Sequence, residues 1–174
     1  MVYTGNEHFT ANGEEIEITM TDFWQWSHPD FLSVERRSVL SKFIVASSLG
    51  MSGTCPQDRT DFRSKYDLLT EDGLRIKVEA ASYLQSLDEE HPDFVSYPIG
   101  GMPDAYVFCL YKATAPSQNP LNLDLWDFFV IDANTLKREN PESKSITLPR
   151  LQELGIWQCD YFGIADGIKK AMDV

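Results

Sequence analysis

Three ionisable residues stand where chemistry could be done. Asp67 lies in Tyr66-Asp67-Leu68-Leu69, and Lys77 and Glu79 lie in Leu74-Arg75-Ile76-Lys77-Val78-Glu79-Ala80, with Thr70-Glu71-Asp72-Gly73 between the two stretches. Paired carboxylates hold a hard divalent cation through oxygen, and a nearby lysine can orient an attacking water and offset developing charge. Together these are the parts of metal-dependent phosphodiester hydrolysis. Residues two apart on a strand point the same way, so Lys77 and Glu79 share one face while Ile76, Val78 and Ala80 take the other. A turn at Asp72-Gly73 folds Asp67 back beside them, and the three groups are expected at one end of a sheet. Alternating charges also mark an ordinary solvated strand face, and the residue types by themselves do not separate the two readings.

The elements that must position these groups can be read outward from them. Ser33 to Leu49 has a helical pattern: Ser33 can cap, Glu35 suits the first turn, Leu40, Phe43, Ile44 and Ser47 share a face, and Gly50 supplies a stop. Strand-like runs follow at 63–69, 74–83, 94–98, 104–112 and 123–132, separated by polar turns. A short strand at 145–148, a helical turn opened by Pro149 and closed near Gly155, and a final helix over 161–172 complete the chain. Upstream, Thr21 and Asp22 are read as the N-cap of a short aromatic helix that Pro29 ends, with Phe23, Trp24 and Trp26 as core residues. Residues 1–13 are read as a flexible tail on a single domain of residues 1–174. This order of helix, hairpin, strands and returning helices predicts an α+β fold with a central mixed sheet flanked by helices.

The helix Arg36-Arg37-Ser38-Val39-Leu40-Ser41-Lys42-Phe43-Ile44-Val45-Ala46, the strand ending in Asp67-Leu68-Leu69 and the strand Ile76 to Gln85 together resemble the PD-(D/E)XK, or restriction-endonuclease-like, superfamily. The resemblance covers about residues 34 to 112 and implies a restriction-endonuclease-like core. In that family the first strand supplies an aspartate, the second an acid-x-lysine, and the preceding helix often a glutamate. Asp67 matches the aspartate. Lys77 stands at the second acid, Glu79 at the lysine, and Lys42 at the helix glutamate, so three charges are reversed. Gln85 stands where related nucleases often carry a glutamine that contacts substrate, and with Lys42 it is a candidate substrate-binding residue.

An ammonium ~4 Å from a divalent cation is repelled by about 8 kcal/mol at an effective dielectric of roughly 20, so Lys77 cannot replace a metal ligand directly. The main expectation is therefore a metal-free cluster of Asp67, Lys77 and Glu79 in which lysine takes the cation's place. The protein is then a catalytically degenerate binding or regulatory module of bacterial or phage DNA metabolism or defence, with no cofactor. One alternative is an active Mg²⁺-dependent nuclease that uses Asp67 and Glu79 as metal ligands and Lys77 as helper. Another is an acidic protein-interaction module.

Composition narrows the partners. A net charge of −12, from 27 acidic against 15 basic residues, argues against a broad nucleic-acid surface. Any DNA contact is expected from a local basic strip drawn from Arg36, Arg37, Lys42, Arg59, Arg63, Lys65 and Arg75; otherwise the partner is a protein. Cys55, Cys109 and Cys159 form neither a disulfide framework nor a zinc pattern, which suits a reducing, cytoplasmic setting. No apolar run suggests a signal peptide or a membrane span. His8, His28 and His91 lack metal-ligand spacing and are read as loop residues, and Gly100-Gly101 is read as a turn.

Overall fold

The computed structural model describes residues 4–11, 13–27, 33–51, 65–86, 95–141 and 143–172, with the side chains of Val34, Gln85 and Ser86 excepted. The loop expected at 51–60 lies outside these residues beyond Met51, as do Cys55, Arg59, Arg63, His28 and His91. In chain order the elements begin with β1 (His8–Ala11), β2 (Glu14–Thr19), α1 (Met20–Ser27) and α2 (Val34–Ser48). They continue with β3 (Leu68–Leu69), β4 (Arg75–Ser82), β5 (Ser96–Pro98), β6 (Ala105–Tyr111) and β7 (Trp126–Asp132). The chain ends with α3 (Ala133–Glu139), β8 (Ser145–Thr147), α4 (Leu148–Glu153), β9 (Trp157–Cys159) and α5 (Ile164–Met172).

The fold is α+β, built on a five-stranded mixed sheet in the order β3-β4-β6-β7-β9, an arrangement consistent with a restriction-endonuclease-like core. All seven residues of β6, AYVFCLY, are buried, because this strand is covered on both faces and paired on both sides. Its pairing with β4 is parallel and runs from Ile76 opposite Ala105 to Ser82 opposite Tyr111, while its pairing with β7 is antiparallel. The parallel pair needs a crossover, and this crossover carries β5, which joins β8 in a separate two-stranded ladder.

Each face of the sheet has its own core. On one, Ile76, Val78, Val107, Phe128 and Val130 pack with Ile44 and Val45 of α2 and with Ile164 and Ile168 of α5. On the other, Phe108, Phe129 and Ile131 pack with Tyr97, Ile146, Leu136 and Leu151. The helices that close these cores are capped as their sequences dictate. Asp132 accepts a hydrogen bond from the Thr135 amide at α3, and Thr147 accepts one from the Arg150 amide at α4, which carries Pro149 in its first turn.

Several expectations change. The stretch read as a flexible tail contains β1, paired antiparallel to β2. The cap of α1 is Thr19 rather than Thr21 or Asp22: its hydroxyl accepts from the Asp22 amide at 3.3 Å, and the Asp22 carboxylate accepts from the Thr19 amide at 2.8 Å. This reciprocal pair is a capping box with aspartate in the glutamate position. The aromatic residues of α1 are not core, since Phe23, Trp24 and Trp26 are all exposed, Trp26 by 80%. On α2 the core-facing stripe is Arg37, Ser41, Ile44 and Val45. Leu40, Phe43 and Ser47 flank it and line a shallow groove of about 250 Å³ with Leu121 and Tyr161. Strand β9 and helix α3 are additions to the expected elements.

Candidate functional site

Asp67 immediately precedes β3, and its amide donates to the Ile76 carbonyl at 2.8 Å, which continues the ladder by one rung. β3 ends at the rim of the sheet, and the Asp67 side chain turns back to take the next rung itself: Oδ2 accepts from the Val78 amide at 2.9 Å. The residue is thereby tied to β4 through both its amide and its carboxylate, and its side chain is only 6% exposed. Two ammonium groups reach it. Lys42, from α2, places Nζ 2.8 Å from Oδ1, and Lys77, from β4, places Nζ 3.2 Å from Oδ2.

Lys77 also lies 3.8 Å from Glu79 Oε1, so its ammonium sits between the two carboxylates. The strand parity that puts Lys77 and Glu79 on one face sends Ile76 and Val78 into the core beneath α2. The charges are unevenly shared. Asp67 has two ammonium partners and a peptide N–H, whereas Glu79 has a single, longer contact to a lysine already engaged. Burial therefore dominates at Glu79 and pushes its pKa from 4.5 to about 7; Lys77 pulls it down, the Asp67 charge pushes it up, and Lys42 pulls it down.

The structure thus brings together Asp67, Lys77, Glu79 and Lys42. Gln85 follows β4 in a 3₁₀ turn, Tyr83–Ser86, but its side chain lies outside the described ones. Both Asp67 oxygens are taken by ammonium groups, Lys77 occupies the space between the acids, and among the described residues no three His, Cys, Asp or Glu side chains converge as metal ligands. What the arrangement holds is a little-exposed Glu79 that keeps its proton up to about pH 7, beside an aspartate shared by two ammonium groups.

The remaining candidates are dispersed. His8 is on β1 rather than in a loop, and its Nδ1 lies 2.8 Å from the Ile16 carbonyl. Among the described members of the basic strip, Arg36 donates to the Ser27 carbonyl at 2.5 Å, Arg37 is buried, Lys42 is held by Asp67, Lys65 is exposed, and Arg75 grips Asp104, whose Oδ2 accepts from both its Nε and its amide at 2.9 Å. Asp104 was not singled out from the sequence, because its contact with Arg75 spans 29 positions and depends on β4 lying beside β6. Gly101 adopts φ +83°, and a Cβ there would collide with the Lys65 carbonyl, which accepts from the Met102 amide at 2.9 Å. That approach ties the loop before β6 to the segment leading into Asp67. No helix among the described residues is long and apolar enough to cross a membrane. No family model matches the chain, and a search of curated proteins returns no similar one.

Proposed function

We propose that the chain is a catalytically degenerate restriction-endonuclease-like protein that acts as a binding or regulatory module in bacterial or phage DNA metabolism or defence. The observation that carries this reading is the Lys77 ammonium lying 3.2 Å from Asp67 and 3.8 Å from Glu79, with Lys42 on the other Asp67 oxygen. Positive side chains stand where two-carboxylate chemistry needs a cation. The scaffold is retained, and its carboxylates are neutralised internally.

The test is direct. Supercoiled plasmid incubated with the full chain and Mg²⁺ or Mn²⁺ is expected to stay uncut, and neither metal is expected to shift the melting temperature. The triple variant Lys77→Glu, Glu79→Lys, Lys42→Glu restores the acid-x-lysine order and is expected to gain a Mg²⁺-dependent rise in melting temperature. Nicking by the parent chain that Asp67→Ala abolishes would refute the proposal. So would a triple variant that folds yet does not respond to Mg²⁺.

A further inference from the structure

Residues 1–35 contain seven of the 27 acidic residues and none of the 15 basic ones. The described part of this segment, β1, β2 and α1, is tied together by its own backbone. The Thr21 amide and hydroxyl both donate to the Gly5 carbonyl, at 3.0 and 2.9 Å, and the Met20 amide donates to that of Glu7 at 2.9 Å. The Glu7 carboxylate accepts from the Thr4 and Gly5 amides at 2.9 Å each. Gly5 is needed at this junction: it has φ +108°, and a Cβ would press on Thr21 and the Trp24 ring.

The described residues of this unit form no core. Gly5 is the one buried residue among those described in it, and Phe9, Ile16, Ile18, Phe23, Trp24 and Trp26 are all exposed. An isolated two-stranded hairpin is marginal in water, and clustered exposed apolar side chains mark interaction surfaces. Along β2, Ile16 and Ile18 share one face with Glu14, while Glu15, Glu17 and Thr19 take the other.

We propose that this N-terminal unit is a docking arm for a basic protein surface with an apolar centre. Charge complementarity selects that occupant. The chain's own apolar groove, between Leu40, Phe43, Leu121 and Tyr161, has no basic residue in its lining to meet the arm's carboxylates. A second copy would bring a further net charge of −12, and nucleic acid is excluded by the same sign. A basic partner sets Lys or Arg against Glu14 while apolar side chains cover Ile18 and Trp26, with charge guiding encounter and apolar contact setting lifetime. This proposal goes beyond the degenerate-nuclease reading and does not depend on the ion cluster.

The test uses the full chain and two short synthetic peptides of equal positive charge, one alternating Lys with Ile, the other Lys with Ser. The Lys-Ile peptide is expected to bind at least about tenfold more tightly, a difference of one decade in Kd. It should shift tryptophan emission to the blue, because Trp26 starts 80% exposed. Ile18→Ser with Trp26→Ser should lose about tenfold in affinity without moving the main unfolding transition, since both residues lie outside the core. Glu14→Gln should weaken binding and flatten its salt dependence. Equal affinity for the two peptides, no binding of either, or unchanged affinity in the Ile18/Trp26 variant would each overturn the proposal. So would sedimentation showing a dimer of the parent chain that the same variant dissolves, because the occupant would then be a second copy.

Discussion

Replacing Glu79 by Gln tests the electrostatics of the cluster most sharply. Glutamate ordinarily titrates near 4.5, and Glu79 near 7, chiefly because it is buried. Its side chain is only 20% exposed, so water screens it little. Between these two pH values the folded chain keeps a proton that the unfolded chain has released, and stability must fall as pH rises through that window. Below 4.5 both states are protonated and nothing is lost; above 7 the loss is complete and amounts to about 3 kcal/mol. Glutamine mimics the protonated acid and cannot ionise. The stability of Glu79→Gln relative to the parent should therefore grow by about 3 kcal/mol between pH 4.5 and pH 8, whatever constant packing difference the substitution adds. Urea unfolding at the two pH values measures this change, and other carboxylates cancel because both proteins contain them. In thermal scans the same change corresponds to about 6–12 °C for a chain of this size. A difference that stays flat with pH would refute the reasoning. A parent that gains on the variant as pH rises would show instead that attraction to Lys77 outweighs the cost of burying the Glu79 charge.

Two further substitutions probe the surroundings. Asp67→Ala leaves the Lys42 and Lys77 ammonium groups facing each other and the Val78 amide without its acceptor; a loss of about 3 kcal/mol is expected in urea unfolding, partly recovered at high salt. Gly101→Ala forces a side chain onto a left-handed backbone and into the Lys65 carbonyl, and a loss of about 2 kcal/mol or more is expected in the same assay.

The sheet was legible because its strands carry their environment in their own letters. β6 is a continuous apolar run, as a doubly covered strand must be, and β4 alternates between core residues and Lys77 and Glu79. That alternation also brought the candidate site within reach, since parity and one turn determine which side chains can meet. The arm was harder. Asn12-Gly13 between β1 and β2, with Ile16 and Ile18 alternating against glutamates, is a hairpin signal, but high polarity masked it. The exposure of Trp26 had no local signature, because an aromatic helix reads alike whether or not another layer covers it. The three-residue β9 is too short for periodicity to detect, and it exists because β7 offers it an open edge.

The side chain of Asp67 does the work of a missing residue in the ladder beside β4. β3 has only Leu68 and Leu69 opposite Ile76 and Arg75, too little backbone to hold its alignment alone. A slip of β3 by one position would take Leu68 out of the core it shares with Ile76 and part Asp67 from Lys42, Lys77 and the Val78 amide, while β4 stays held by β6. The charged group therefore acts as a register pin for the rim strand. It gives selection a reason to keep an aspartate there that has nothing to do with turnover, and it makes the persistence of that residue a poor guide to whether any reaction is performed.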